Sequence, residues 1–253
     1  MSAVESWVLG LRGSPGLSRV LRALVAVAFT LVVTGAIFLL AGADPFEAYE
    51  ALVHGSLGNR VGFTNTVMLA TILTFTALAF AIPARAQQWN IGGEGQLFMG
   101  ALASVTVALK VGGLDPTVLT VLSLLAGLLA GAVWAGIAGV LKVRAGANEV
   151  LTTLMLNFIA VLAVEYSIAN LFPTGGTPSA TPAVPLGVEL PDLWSSTRIN
   201  YAVVIALVGV ILVHLLLSRT VLGLKIRATG FNLDGARHGG INVGRTQVVS
   251  LVL

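Results

Sequence analysis

The chain has 253 residues, of which 56% are apolar and only 10% are charged. Typical soluble domains carry about 25% charged residues, so these figures exclude an ordinary water-exposed globule. The chain has no cysteine, which excludes disulfides, cysteine zinc sites and thiol catalysis. Its 29 glycines accompany the high apolar content and favour packed membrane helices.

Apolar runs predict six membrane spans and the start of another, because a hydrocarbon core of about 30 Å needs roughly 20 apolar residues as helix. In chain order these runs are Ala23 to Ala43, Val61 to Pro83, a short Leu97 to Leu109, Pro116 to Leu141, Val150 to Phe172, Ile199 to Leu217, and one beginning near Thr246. The first run is longer than a signal-peptide core and is interpreted as a retained span. The predicted fold class is therefore all-α, a polytopic transmembrane helical bundle.

The basic residues predict that residues 1–22 form a cytoplasmic N-terminal segment preceding a membrane domain over residues 23–253. With that orientation, eleven basic residues fall inside and only Arg60, Lys110 and Arg198 fall outside, as the positive-inside rule favours. The net charge of +3 is then a signal of topology, and nucleic-acid binding loses its support. The proline-rich outer segment 173–192 is predicted to be an extended loop, with a docking surface as the less favoured alternative.

The stretch QQWNIGGEGQ, residues 87–96, places glycines and polar groups between two apolar runs. Glycines at this density are expected to break a helix, and non-helical backbone at membrane depth is tolerated only when buried in protein or lining a watery cavity. The stretch therefore predicts part of a substrate pathway. The alternative is a tight cytoplasmic turn whose polar residues cap the next helix. The candidate pathway residues here are Asn90, Gly92, Gly93, Glu94 and Gln96.

The fifth predicted span begins with polar residues that share one face. Glu149, Thr153 and Asn157 are spaced by four and form a stripe on the inner half of the helix. Such a stripe indicates either a pathway or hydrogen bonds between helices, and the pattern favours neither. Glu165 lies deeper, off the stripe, and is expected to face water or a partner.

Small residues recur every four positions in the fourth predicted span, at Gly127, Gly131, Ala135 and Gly139. Small side chains in such a row allow two helices to approach closely, so we interpret the row as a packing feature.

The segment Ser218 to Arg245 is too polar to span a membrane and too apolar to be a free loop. It predicts a short helix that lies against a partner or against lipid headgroups, and the residues alone leave both open.

Motifs for catalysis and metal binding are missing from the sequence. His54, His214 and His238 are far apart and no HExxH is present, so no metal site is predicted. Neither GxSxG nor GxxxxGK[ST] occurs, so the chain is not predicted to be an enzyme or to bind ATP, and no cofactor is predicted. Any energy for transport comes from another subunit or from an ion gradient.

Three runs resemble the permease subunits of bacterial ABC importers. They are NIGGEGQ at 90–96, NEV at 148–150 followed by MLN at 155–157, and RATGFN at 227–232 followed by AR at 236–237 and GI at 240–241. The resemblance is to the ribose or branched-chain-amino-acid type, and within it to nucleoside (guanosine-type, simple sugar) uptake permeases. It extends from about Arg22 to the end of the sequence.

This resemblance implies a subunit of the bacterial plasma (inner) membrane with several partners. These are a second permease, two cytoplasmic ABC ATPases and an external or periplasmic substrate-binding protein. It implies that residues 218–245 are a cytoplasmic coupling loop that docks into the ATPase, with the coupling residues Arg227, Gly230, Asn232, Ala236, Arg237 and Gly240. Family members continue with further helices, so the chain is expected to be C-terminally truncated.

The expected function is therefore ATP-driven import of nucleosides or a related simple sugar. A polar, largely uncharged substrate needs hydrogen-bond donors and acceptors, and Phe98 or Phe158 could stack on a base. The alternative is a gradient-driven secondary transporter with Glu149 or Glu165 as its proton site.

Overall fold

The structure, a computed structural model, describes residues 17–172, 180–195 and 197–253. Residues 1–16 of the predicted N-terminal segment and 173–179 of the predicted outer loop lie outside these ranges. The described residues form helices α1 to α10, whose bounds in order are Leu17–Leu40, Pro45–Leu57, Arg60–Ala84, Gly93–Lys110, Pro116–Ala145, Glu149–Leu171, Ala202–Arg219, Val221–Phe231, Leu233–His238 and Val243–Val252. The only strand-like feature in these ranges is an isolated bridge between Asp192 and Asn200, so the all-α prediction is confirmed.

Five of these helices, α1, α3, α5, α6 and α7, are long and apolar enough to cross a membrane. They match five of the six predicted spans. The remaining one, the short third span, forms the 18-residue helix α4 and is not in this group. Glu94, Gln96 and Lys110 lie within α4 and lower its mean hydropathy. By length and composition, five of the predicted spans are therefore confirmed, and the short third span, α4, stays a prediction.

The described residues form two compact units, which divide between Thr66 and Val67. In the first unit, α1 and α2 pack together through Tyr49. Its hydroxyl donates to the Leu31 carbonyl at 2.6 Å, and its ring meets Phe38 edge-on. Helix α2 was not predicted, although Asp44 followed by Pro45 is a helix-start signal: Asp44 accepts hydrogen bonds from the first backbone amides of α2.

In the second unit, the row of small residues on α5 packs as predicted. A Cβ atom at Gly127 would lie 3.0 Å from the carbonyl oxygen of Gly100 on α4, and one at Gly131 would lie 3.3 Å from that of Gln96. Further along α5, a Cβ at Gly139 would lie 3.1 Å from the Val248 Cα on α10. The row therefore brings α5 close to two different helices.

Residues 218–245 contain the predicted short helix, as two pieces. Thr220 caps α8, and Asn232 ends α8 and caps α9 through a hydrogen bond from the Gly235 amide. Gly240 follows α9 with a φ of +78°, a left-handed conformation that glycine adopts without strain. Asn242 then caps α10 by accepting a hydrogen bond from the Arg245 amide.

Candidate functional site

Residues 85–92, which we call the connector, link α3 to α4 by non-helical backbone. Helix α3 ends just after Pro83, whose carbonyl accepts a hydrogen bond from the Gln88 amide at 3.0 Å. Gln87 has a positive φ of 57°, so the chain turns sharply there. The end of helix α3 therefore precedes Gly92, Gly93 and Gly95. The expectation that the glycines break the helix is wrong for Gly93 and Gly95, which lie in the first turn of α4.

Asn90 fixes the connector to α3. Its Nδ2 donates to the Ala79 carbonyl at 3.0 Å, and its Oδ1 accepts from the Gly92 amide at 2.9 Å. The side chain is buried, and both ends of its amide are satisfied by backbone groups of the protein. Asn90 thus acts as a hydrogen-bonded support for the turn.

The polar stripe of α6 also binds the connector. Thr153 Oγ1 accepts from the Ile91 amide at 3.2 Å, and Asn157 Nδ2 donates to the Ile91 carbonyl at 2.9 Å. Asn157 Oδ1 also accepts from the Gly95 amide at 2.9 Å. The stripe therefore does make the interhelical hydrogen bonds that were one of its two interpretations, and their partners are backbone groups of the connector and of α4.

Close approach explains two of the glycines. A Cβ at Gly95 would lie 2.8 Å from Asn157 Oδ1 and 3.1 Å from the Trp134 Nε1, and one at Gly92 would lie 3.1 Å from the Thr153 Cβ. Gly93 differs, because its nearest neighbour would be Thr76 at an ordinary 3.5 Å. A side chain at Gly95 would therefore force a shift against α6, whereas Gly92 lies in tight contact with Thr153.

The acidic candidates differ in their surroundings. Glu149 forms a largely buried ion pair with Lys142, with Oε1 and Nζ 2.6 Å apart, across the turn that joins α5 to α6. Glu94 is exposed, Gln96 is half-buried, and neither side chain has a hydrogen-bond partner within the part of the chain that the structure describes. Glu165 is exposed on α6, and the expectation that it faces water or a partner stays a prediction. Of the candidate pathway residues, Glu94 and Gln96 thus keep their polar groups available to a ligand.

The candidate coupling residues separate into exposed and packed positions. Arg227, Asn232 and Arg237 are exposed, and Arg237 pairs with Asp234 of its own helix at 3.2 Å. Ala236 is buried, and Gly230 lies so close to the connector that a Cβ there would collide with the Arg85 carbonyl. Gly240 provides the left-handed turn after α9.

Sequence reasoning missed a set of buried polar side chains in this region. Gln88, adjacent to the predicted site, is only 1% exposed and contacts Ser250 of α10. Thr229 Oγ1 and the Trp134 indole nitrogen are buried without a hydrogen-bond partner in the described part of the chain. No local sequence pattern marks these residues, so only the tertiary contacts identify them. The described residues contain no group of three or more His, Asp or Glu side chains that could hold a metal ion.

Comparison with known proteins assigns the class. A family profile described as "Branched-chain amino acid transport system / permease component" matches residues 62–253. Because this match covers well over half of the sequence, the chain belongs to that family of permease components. It is a multi-pass membrane protein of the transport-permease class, in which ATP hydrolysis is carried by separate subunits.

Individual relatives agree with this class. The nucleoside ABC transporter permease protein NupB of Lactococcus lactis is 28% identical over 93% of this chain and 67% of its own length. The guanosine ABC transporter permease protein NupP of Bacillus subtilis is 29% identical over 94% of this chain and 69% of its own. The glucose ABC transporter permease protein TsgB13 of Haloferax volcanii is 30% identical over 86% of this chain and 60% of its own. No solved structure matches significantly. None of these findings supports a gradient-driven transporter.

Proposed function

We propose that the chain is the permease through which an ATP-driven importer moves nucleosides or a related simple sugar across the bacterial plasma membrane. The observation that carries the proposal is the similarity, over more than nine-tenths of this chain, to permeases named for nucleosides and guanosine. The similarity to a permease named for glucose is the reason to include sugars. Both kinds of substrate are polar and largely uncharged, so they need hydrogen-bonding groups along their route.

In this proposal the route passes the junction of the connector, α4 and α6. Glu94 and Gln96 are its polar contacts, because their side chains have no partner among the described residues. The other candidates form its wall: Asn90, Gly92, Gly93, Glu149, Thr153 and Asn157. Their polar groups already have hydrogen-bond partners in the backbone or an ion pair with Lys142. These residues therefore position the junction and make few hydrogen bonds to a passing substrate.

The loop of residues 218–245 is the proposed docking element for a cytoplasmic ATPase. Phe231 is 95% exposed at the junction of α8 and α9, next to exposed Asn232, and Arg237 of α9 is exposed as well. A large exposed aromatic ring rimmed by polar groups is typical of a protein contact. The remaining proposed partners are a second ATPase, a second permease and an external binding protein. With this loop inside, the N-terminus is cytoplasmic and residues 23–253 form the membrane domain.

Uptake by the reconstituted complex tests the proposal. We expect proteoliposomes with all partner subunits to accumulate labelled guanosine or glucose only when ATP reaches the ATPases. Collapsing the membrane potential with valinomycin and potassium is expected to leave that uptake unchanged. The control is the same complex with an inactive ATPase site. Uptake that follows the potential, and persists without ATP hydrolysis, would contradict ATP-driven transport.

A further inference from the structure

Gln88 and Ser250 form a buried polar contact at the centre of the connector. They are 162 positions apart in sequence, 1% and 0% exposed, and the Ser250 Oγ lies 2.6 Å from Gln88 Oε1. Burying an amide and a hydroxyl costs free energy unless they are hydrogen-bonded, so the two groups depend on each other. The contact therefore fixes where the connector lies relative to α10.

The number of available protons determines which group donates and which accepts in this contact. The Ser250 hydroxyl has one proton, and the Gln247 carbonyl also lies within reach at 2.9 Å, while Gln88 Nε2 has no partner among the described residues. If the amide presents Nε2 to Ser250, Nε2 donates to the hydroxyl and the hydroxyl donates to Gln247. Gln88, Ser250 and the α10 backbone then form one continuous chain of hydrogen bonds.

Helix α8 packs directly against the first residues of the connector. Ile226 is fully buried against Ile82 and Ala86. At Gly230, one turn later, a Cβ would collide with the Arg85 carbonyl and lie 3.1 Å from the Ala86 carbonyl carbon. No space remains between α8 and the connector, so a displacement of one must displace the other.

The far end of the connector is held by α6, through the Ile91 bonds to Thr153 and Asn157. One short segment thus contacts α8 at its first residues, α10 at Gln88 and α6 at its last residues. This is a contiguous packed path from the α8–α9 element to the first turn of α4.

We propose that the Gln88–Ser250 pair is a positioning contact that transmits movement of α8 and α9, through the connector, to the first turn of α4. This rests on the proposed function, in which α8 and α9 dock into an ATPase. Without the pair the connector is still held at both ends but can shift against α10. Movement of α8 and α9 then shifts the connector relative to α10 and does not displace Glu94. Breaking the pair is expected to leave ATP hydrolysis intact and to uncouple it from the site.

The test measures movement at Glu94 directly, because the chain has no cysteine of its own. In the complete complex, a Glu94→Cys background is labelled with a maleimide with and without ATP. We expect ATP to change the labelling rate, and Gln88→Leu or Ser250→Ala to reduce that change by about fivefold to tenfold, the factor for losing one hydrogen bond. The double variant should be no worse than the more severe single variant, because both remove the same contact.

The matched control is Ser167→Ala, which removes another buried hydroxyl but one that bonds only to its own helix, at the Ala163 carbonyl. It should leave the ATP-induced change as in the unmodified background. An ATP-induced change that survives in both Gln88→Leu and Ser250→Ala would overturn the proposed transmission. So would the lack of any ATP-induced change in the background. If Gln88→Leu fails to assemble, Ser250→Ala decides, since it deletes a single oxygen.

Crosslinking separates this inference from the proposed function. Phe231→Cys is preferred to a cysteine at Asn232, because Asn232 caps α9. If Phe231→Cys crosslinks to the ATPase and the Gln88 and Ser250 variants have no effect, the docking assignment stands and the transmission fails. If Phe231→Cys does not crosslink in an assembled complex, the docking assignment itself fails, and with it the transmission.

Discussion

At the residue scale, the polar side chains around the connector stabilise it by hydrogen bonds to its backbone. Asn157 is 7% exposed, and its two hydrogen bonds go to the Ile91 carbonyl and the Gly95 amide. A buried backbone group that loses its partner costs about 1–3 kcal/mol. The polar stripe of α6 therefore stabilises the junction whether or not a substrate touches it.

This leads to a prediction for Asn157→Ala. The substitution leaves two backbone groups without partners and is expected to lower the free energy of unfolding by about 2–6 kcal/mol. Asn170→Ala is the matched control on the same helix, because Asn170 is exposed and bonds only to the Tyr166 carbonyl. Melting temperatures of the purified protein in detergent measure the difference. Equal melting temperatures for the two variants would show that Asn157 does not support the connector.

At the scale of elements, helix contacts explain which glycines matter. Sequence alone treats the glycines of residues 92–95 as one helix-breaking group. In the fold, Gly92 and Gly95 face side chains of α6, whereas Gly93 faces Thr76 at an ordinary contact distance. Which face of α4 meets α6 is decided by tertiary packing, so the sequence could not separate these glycines.

The pair Gly95→Ala and Gly93→Ala tests this difference. Gly95→Ala places a methyl group against Asn157 and Trp134 and is expected to destabilise the protein by about 1–3 kcal/mol, as overpacking does. Gly93→Ala should be neutral or slightly stabilising, because its methyl group fits and alanine favours helix by up to about 1 kcal/mol. Assembly yield and melting temperature in the same detergent provide the comparison. A Gly93→Ala variant as impaired as Gly95→Ala would contradict the assigned contacts.

At the scale of the whole molecule, the distribution of charge predicts a topology that the fold does not test. The proposed orientation places residues 180–195 outside and the loop of residues 218–245 inside. Two exposed apolar residues report on these sides, Leu186 at 94% and Phe231 at 95% exposure.

Single cysteines at these positions test the orientation in intact cells. In cells that lack the partner ATPases, a membrane-impermeant maleimide is expected to label Leu186→Cys from outside and to label Phe231→Cys only after the cells are opened. The chain without introduced cysteines is the background control, since it has no thiol to label. Labelling of Phe231→Cys in sealed cells would invert the proposed topology.

The sequence by itself determined the class of fold, the approximate positions of most spans, and the resemblance that the family match confirms. These rest on local properties, namely the length of apolar runs, helix-start residues and short motifs, which do not depend on distant contacts. The short third run, α4, stays a predicted span, because polar residues in its first turn and at its end lower its mean hydropathy. Sequence reasoning missed α2, whose start signal at Asp44 lies outside the apolar runs.

The tertiary structure decided what the polar residues do. Asn90, Thr153 and Asn157 are hydrogen-bonded supports, Glu94 and Gln96 keep available polar groups, and Gln88 meets a serine far along the chain. A side chain's hydrogen-bond partner is set by which helices pack together, and that packing brings together residues more than 60 positions apart. For this reason the sequence could propose candidate residues for the site, but it could not divide them into supports and available groups.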